Sequence, residues 1–409
     1  MKKKSFLPFV ILLVLLFLFC SCAPEHGETG EQVSTDTAEV QGNDDTTDTS
    51  ETVATLTSAE DLKREPTDEN TLRFLVFSDL HYKRFMYVAT TDDVDKVLKR
   101  ADENSVDFVI QLGDFCNEFS KSPELFGTYL NNKYGLPAYG VCGNHDMEGP
   151  LNTVDFIRTK LCNRTVNFGR SKNGKGTAYW YTDIKNFRII GLDTNYSYST
   201  ATQSWERNKA NTSHAPKENE KGNSLGPDQL SWLRARIKEA SEKNMKVLVF
   251  SHVSFSDSWS RSPDADAVRK IFADHEGTVL LASNGHSHTD HFKTIGKTVY
   301  FDVNSVRNGY WYSQSTHHYS NTHTYKYYNY VDGVIDGDPV TIPLTTLSQA
   351  KNTWFFTEPL SAVVTVSEDG TVKVEGAVTR WMYDILPDSK KDGTKPMIGY
   401  YVYDGKEVK

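Results

Sequence analysis

The chain has 409 residues, of which 38% are hydrophobic and 12% aromatic, so it can bury one large core, or one core with an appendage. Its net charge of −9 is unevenly spread, because residues 1–23 carry +3, residues 24–70 carry 14 acidic and 2 basic side chains, and residues 71–409 are neutral overall. That neutrality excludes a strongly basic fold, and no specific nucleic-acid binding is predicted.

The first 22 residues have the pattern of an export signal. Three lysines at positions 2–4 precede an apolar run from Phe6 to Phe19, which is short for a membrane span. The pair Ser21-Cys22 resembles the end of a bacterial lipoprotein signal, in which the cysteine is lipidated and becomes the mature N-terminus. We therefore expect an exported protein that is anchored through Cys22 on the extracytoplasmic side of the cell membrane, with plain secretion as the alternative.

Residues 23–70 are acidic and polar and contain no aromatic side chain, which predicts a disordered linker. Three cysteines follow it, Cys116, Cys142 and Cys162, and none forms a CxxC pair. This pattern does not favour a thiolate metal cage. We expect Cys116 and Cys142 to be small buried side chains beneath a site.

The first ordered part of the chain alternates between strand and helix patterns. The expected order is a strand at 72–77, a helix from Thr91 or Asp92 to about residue 104, a strand at 106–112, a helix at 123–130 and a strand at 137–142. This βαβαβ order with apolar strands predicts an α/β fold with a parallel sheet covered by helices.

The remaining elements are less regular. Strand patterns occur at 179–181, 187–192, 247–250, 279–282 and 299–303, helical patterns at 227–240 and 263–274, and a hairpin pattern at 361–380. Residues 196–224 are predicted to be a polar surface insertion near the site mouth. We assign residues 71–305 to a catalytic domain and residues 306–409 to a Tyr-rich and β-rich C-terminal extension packed on it.

Five polar motifs follow apolar runs, at the points where predicted strands end. They are Asp79-Leu80-His81, Gly113-Asp114, Gly143-Asn144-His145-Asp146, Ser251-His252 and Gly285-His286-Ser287-His288. Open α/β sheets place their sites at the carboxyl ends of strands. Carboxylates, one neutral amide oxygen and several imidazoles form a mixed N/O ligand set, which suits Mn, Fe or Zn. Two such ions about 3.5–4 Å apart are the arrangement used for in-line displacement at phosphorus.

In this order the motifs resemble those of the calcineurin-like metallophosphoesterase family. The resemblance implies a two-sheet β-sandwich flanked by helices, in four α/β/β/α layers, with two metal ions at the strand ends. It implies the following roles: Asp79, His81 and His288 hold one ion, Asn144, His252 and His286 hold the second, Asp114 bridges them, His145 protonates the leaving group as general acid, and Asp146 orients His145.

The function expected from this resemblance is hydrolysis of phosphoester bonds by a hydroxide that bridges two metal ions. The substrate is expected to be a small molecule or an exposed phosphoester, and phosphodiesterase, phosphomonoesterase and nucleotidase activities all stay open. Asn117 stands where purple acid phosphatases carry a tyrosine ligand, which disfavours that subfamily. The alternative from another class is a phosphatase-fold binding protein without turnover. Arg307 and Asn308 are candidate phosphate contacts.

Overall fold

The structure, a computed structural model, describes residues 64–82, 89–149, 152–172, 174, 176–208, 222–258, 260–307, 324–327, 330–331, 334–335, 340–343, 355–377, 379 and 400–404. The predicted signal peptide, its Cys22, most of the predicted linker and Asn308 lie outside these residues. Within the described ranges, no helix is both long enough and apolar enough to cross a membrane.

Helices and strands alternate through the first half of the chain, as expected. The helices are α1 (Thr91–Glu103), α2 (Pro123–Leu130), α3 (Val154–Leu161), α4 (Gly226–Glu242) and α5 (Ala265–Ala273). The strands are β1 (Thr71–Phe77), β2 (Phe108–Gln111), β3 (Ala138–Gly140), β4 (Asn167–Arg170), β5 (Gly176–Ile184), β6 (Phe187–Gly191), β7 (Tyr196–Ser199), β8 (Ser204–Arg207), β9 (Lys246–Phe250), β10 (Val279–Asn284), β11 (His291–Ile295), β12 (Thr298–Asp302), β13 (Thr324–Tyr327), β14 (Tyr330–Val331), β15 (Val334–Ile335), β16 (Val340–Pro343), β17 (Ala362–Ser367), β18 (Val372–Gly376) and β19 (Tyr400–Tyr403).

The first sheet has the strand order β19-β18-β17-β1-β2-β3. Strands β1, β2 and β3 are parallel, which confirms the arrangement predicted from the βαβαβ order. The predicted C-terminal hairpin is also confirmed as β17 and β18, and β17 pairs antiparallel with β1 from Thr71↔Ser367 to Val76↔Ala362. The C-terminal hairpin and then β19 therefore extend the sheet that the first three strands begin.

The second sheet has the strand order β11-β12-β10-β9-β6-β5-β4. Its central strands β6, β9, β10 and β12 are parallel, and β5 joins β6 in the hairpin expected around Lys185 and Asn186. The edge strands β4 and β11 and the helix α3 were not predicted. Strand β4 carries only one buried residue, Gly169, so it lacks the apolar alternation that identifies a strand.

The two sheets pack face to face and helices cover their outer faces. Phe74 of β1 points between the sheets, where its ring lies 5.4 Å from that of Phe250 on β9. Phe77, three residues on, faces the other way and meets Tyr129 of α2 at 5.8 Å. Helix α4 buries Leu233 and Ile237 in a separate cluster with residues of β9 and α5. This is the predicted four-layer α/β/β/α arrangement.

Two predicted segments contain ordered structure that the sequence did not indicate. Contacts begin before residue 70, where the predicted linker ends, since Arg64 pairs with Glu375 at 2.9 Å and Thr67 donates to Asp107 at 3.0 Å. The insertion predicted at 196–224 contains an antiparallel hairpin, β7–β8, which was not predicted. Each of its strands has only four residues, which is short for recognition from a pattern.

Candidate metal centre

All five motifs lie at one edge of the sandwich, and both sheets contribute. Asp79, Asp114 and Asn144 follow β1, β2 and β3 of the first sheet. His252 and His286 follow β9 and β10 of the second sheet. The sheets are joined there by a parallel bridge between Ser78 and Ser305, and the Ser305 hydroxyl donates to the Asp79 carbonyl at 3.0 Å.

The first group of ligand atoms comes from Asp79, His81 and His288. His288 Nε2 lies 3.2 Å from Asp79 Oδ1, and His81 Nε2 lies 3.2 Å from His288 Nε2 and 3.7 Å from Asp79 Oδ1. All three ligand atoms lie within 4.8 Å of one another. The three residues predicted to hold one metal ion are thus brought together.

The second group comes from Asn144, His252 and His286. His252 Nε2 lies 3.0 Å from Asn144 Oδ1 and 3.2 Å from His286 Nδ1. The other nitrogen of His252 donates to the carbonyl of Leu112 at 2.8 Å, which fixes the ring and turns Nε2 toward the group. Leu112 contributes only its carbonyl, which sequence reasoning could not have identified.

Asp114 lies between these two groups. Its Oδ2 is 3.3 Å from His252 Nε2 and 3.7 Å from His81 Nε2, whereas its Oδ1 accepts the backbone N–H of His145 at 2.7 Å. One carboxylate oxygen therefore faces a member of each group at once. This is the position expected of a residue that bridges two cations.

The arrangement fits a pair of metal ions. Asp79 Oδ2 accepts hydrogen bonds from Ser78 and from the backbone of His286, but Asp79 Oδ1 is buried and has no donor in hydrogen-bonding geometry. Burying a carboxylate oxygen without a hydrogen-bond donor costs free energy of folding, unless a cation binds to that oxygen. Two ligands about 2.1 Å from a shared ion and at right angles lie about 3 Å apart, which is close to the separations observed here.

The charge states of the groups also suit cation binding. Burial alone would raise the pKa of Asp79, but His288 and His81 outweigh it and hold that pKa well below its usual range. Burial lowers the pKa values of His81 and His286 to about 4, so both imidazoles are neutral near pH 7. Burial lowers and the Asp114 carboxylate raises the pKa of His252, which lies at about 9, so without a cation this ring is protonated near pH 7 and must release its Nε2 proton to bind one. The ionised Asp79 and the neutral His81 and His286 already have the form in which such side chains bind metals.

The backbone at the site is strained. Five of the seven predicted ligand residues have positive φ angles, which residues other than glycine rarely adopt. They are Asp79 (53°), His81 (50°), Asp114 (47°), His286 (69°) and His288 (52°). Such conformations cost about 1–3 kcal/mol each and persist where the surrounding fold imposes them. Gly285 allows its loop to approach the loop that carries Asp79, since a Cβ on Gly285 would lie 2.5 Å from Asp79 Oδ2.

His145 lies against the first group, where its ring meets the ring of His81 edge-on at 4.9 Å. The prediction that Asp146 orients His145 is wrong. The two carboxylate oxygens of Asp146 accept the backbone N–H groups of Cys116 and Gly143, and Glu148 Oε1 lies 2.8 Å from His145 Nδ1 instead. Asp146 thus fixes the loop, and the carboxylate at the His145 ring belongs to a residue that sequence reasoning missed.

Arg307 does not lie where the sequence suggested. Its guanidinium pairs with Asp93 of α1 at 3.1 Å and donates to the carbonyl of Thr357 at 3.0 Å, so it joins helix α1 to the C-terminal segment. Beneath the Gly143-Asn144 turn, the predicted burial of Cys142 is confirmed. Arg207 of β8 contacts its thiol at 3.3 Å and is paired with the buried Asp193.

The chain is similar to known proteins in sequence and in fold. The family model of the calcineurin-like phosphoesterases matches residues 72–290. A manganese-dependent ADP-ribose/CDP-alcohol diphosphatase from Arabidopsis thaliana is 25% identical over 230 residues, which are 47% of this chain and 70% of the relative. Among solved structures, a dimetal phosphatase from Danio rerio has a TM-score of 0.44 at 15% identity, covering 75% of this chain and 95% of its own. A putative 5′-nucleotidase from Staphylococcus aureus has a TM-score of 0.41 at 13% identity, covering 78% and 55%.

Proposed function

The chain belongs to the calcineurin-like phosphoesterase family, and on that premise we propose that its two ligand groups hold two divalent metal ions for the hydrolysis of a small-molecule phosphoester. The observation that carries this proposal is the position of Asp114 Oδ2, which faces His81 of the first group and His252 of the second. Manganese, iron and zinc all suit the mixed set of nitrogen and oxygen ligands.

Each residue has a separate task in this proposal. Asp79, His81 and His288 hold one ion, Asn144, His252 and His286 hold the other, and Asp114 holds both. When bound, the ions supply an activated water and neutralise charge on the phosphate. His145 donates a proton from its ring to the leaving oxygen, and this transfer matters most when that oxygen is strongly basic. Asp146 keeps the Gly143 turn in place through the two backbone N–H groups that it accepts.

A second candidate is the hydrolysis of a diphosphate bond. It is favoured by the Arabidopsis relative, whose name describes a manganese-dependent diphosphatase acting on ADP-ribose and CDP-alcohols. The same two ions could act on either bond type, since both reactions displace an oxygen from phosphorus. A metal-binding protein without turnover is the alternative from another class.

The test uses the full-length protein, stripped of metal and titrated with Mn²⁺. Turnover would be followed with a chromogenic phosphodiester, the matching monoester, ADP-ribose and a CDP-alcohol. We expect activity that rises as two ions bind and that falls by at least about a hundredfold in Asp114→Asn. Asp95→Asn, at an exposed pair with Lys133, is the matched control and should retain full activity. Two bound ions with no turnover of any of the four substrates would refute the hydrolase proposal.

We further propose that the protein is exported and anchored through a lipid on Cys22, on the basis of the N-terminal sequence. Expression of the wild type and Cys22→Ala, followed by membrane fractionation, tests this. The wild type should be recovered in the membrane fraction and the variant should not. Equal release of both proteins into the soluble fraction would support secretion instead.

A further inference from the structure

We propose that Glu148 is the positioning residue for His145: it holds a proton on Nδ1, so that the imidazolium form directs its second proton, on Nε2, at the leaving oxygen, and the transfer leaves a neutral ring with its proton on Nδ1. This inference rests on the proposed hydrolase function, in which His145 is the proton donor. It assigns a role to a residue outside the five motifs, and it replaces the role that the sequence had suggested for Asp146.

The contact itself defines the orientation of the ring. Glu148 Oε1 lies 2.8 Å from His145 Nδ1, within hydrogen-bonding distance. An ionised carboxylate can only accept, so Nδ1 must carry the proton in this contact. The His145 side chain is 10% exposed and that of Glu148 is 32% exposed, so the pair sits at the boundary between the buried ligands and the solvent. That is where a leaving group would be released.

The backbone holds the two residues at this spacing. His145 to Met147 form one turn of 3-10 helix, and the N–H of Glu148 donates to the His145 carbonyl at 3.1 Å. The side-chain amide of Asn152 then donates to the carbonyls of Asp146 and Glu148, at 2.7 and 2.6 Å. The turn is thus secured independently of any contact between side chains of His145 and Glu148.

The ring of His145 is therefore supported on two sides. Glu148 binds Nδ1, and the ring of His81 packs edge-on at 4.9 Å. Because His81 belongs to the first ligand group, a rotation of the His145 ring would also lose its packing against that group. A fixed ring matters, since proton transfer needs a donor nitrogen within hydrogen-bond reach of the leaving oxygen.

A matched control carboxylate lies nearby. Glu118 packs against Gly149, next to Glu148, where a Cβ on the glycine would lie 2.5 Å from Glu118 Cδ. Its carboxylate is held by Ser120 at 2.6 Å and by Lys121 at 2.9 Å. Glu118→Gln therefore removes one negative charge from the same neighbourhood without removing the contact with the His145 ring.

The kinetic experiment compares the wild type, Glu148→Gln, Glu118→Gln and His145→Ala on aryl phosphodiesters whose leaving groups have pKa values from about 7 to about 10. Glu148→Gln should lower kcat on the poorest leaving group by about 10–100-fold and on the best by less than about threefold, with two metal ions still bound and KM unchanged. His145→Ala should show the same steep dependence, and Glu118→Gln should match the wild type. A uniform loss across all leaving groups in Glu148→Gln would overturn the inference.

A second measurement does not depend on turnover. The ¹⁵N chemical shifts of the His145 ring, assigned with His145→Ala and followed across a pH series, report which nitrogen keeps its proton once the ring is singly protonated. In the full-length wild type Nδ1 should carry it, and in Glu148→Gln this preference should be reduced, because an amide can donate as well as accept. An unchanged Nδ1 signal in Glu148→Gln would overturn the inference. Failure of the hydrolase proposal would appear only in the turnover of the wild type.

Discussion

Asp79 Oδ1 and His288 Nε2 lie 3.2 Å apart, although Asp79 follows a strand of the first sheet and His288 follows a strand of the second. The first ligand group therefore forms only because the two sheets pack against each other in one fixed position. Its geometry depends on the packing between the sheets as well as on the loops that carry the ligands.

His286→Ala should remove one of two bound ions. His286 Nδ1 lies in the second group, 3.2 Å from His252 Nε2, whereas the first group does not include it. Metal analysis of the Mn²⁺-loaded protein after dialysis should therefore give about one ion per chain instead of two. Retention of two ions at wild-type affinity would contradict the division of the ligands into these groups.

Gly285→Ala should disrupt metal binding without a change in any ligand. A Cβ at this position would enter the space of Ser78 and would lie 2.5 Å from Asp79 Oδ2, so the Asp79 loop would have to move. We expect Mn²⁺ affinity, measured by calorimetry, to fall by at least about tenfold. Gly127→Ala is the control, since nothing lies within 4 Å of a Cβ there. It should stabilise α2 by about 0.5–1 kcal/mol and leave affinity unchanged.

Arg207→Met should destabilise the fold. The guanidinium pairs with Asp193, whose side chain is fully buried, and its loss would leave an uncompensated charge in the interior. Urea denaturation should show a loss of about 3–5 kcal/mol in the free energy of unfolding. Lys238→Met breaks an exposed pair with Glu242 and should cost less than about 0.5 kcal/mol. An equal loss of unfolding free energy in the two variants would show that the buried pair with Asp193 stabilises the fold no more than an exposed pair does.

Asp302→Asn should change the pH dependence of stability. Burial raises the pKa of Asp302, against the lowering effect of hydrogen bonds from Ser254. The folded state therefore keeps the proton of Asp302 to a higher pH than the unfolded chain does, and the contribution of Asp302 to wild-type stability falls as the pH rises above about 4. The stability of the variant relative to the wild type should increase over this range in denaturation curves.

The exposed Asp266 provides a control of opposite sign. Hydrogen bonding from Arg269 lowers the pKa of Asp266, so its small contribution is present above about pH 4 and is lost as the pH falls. Asp266→Asn should therefore lose stability relative to the wild type as the pH rises through this region. The same trend in both variants would show that burial does not control the titration of Asp302.

The elements of the fold that could be predicted were those with a simple pattern of apolar residues. Strands such as β1 and β9 were identifiable as short apolar runs, and the helix Pro123–Leu130 was identifiable from the proline at its start. The convergence of Asp79, Asp114 and Asn144 also followed, because parallel neighbouring strands end at the same edge. Local periodicity and strand direction were sufficient for these features.

Other features depended on contacts that local patterns do not contain. The pairing of β17 with β1 joins residues near opposite ends of the described chain, and nothing in either segment specifies its partner. The resemblance to the family implied that Asp146 orients His145, whereas the turn directs the Asp146 carboxylate to the backbone of Gly143 and Cys116. The sequence does show an acidic residue, Glu148, three positions after His145. Only the 3-10 turn between them brings its carboxylate to the His145 ring, and the sequence did not predict that turn.

The pairing of β17 with β1 also sets an order of events during synthesis. Strand β1 delivers Asp79 and His81, and it leaves the ribosome long before its antiparallel neighbour at Ala362–Ser367. Until then one edge of β1 has unsatisfied backbone groups, available for pairing with another chain. The strand that leads into Asp79 and His81 therefore keeps one open edge until a hairpin with none of the proposed ligands has been made, and a chaperone that covers this edge would protect the nascent protein.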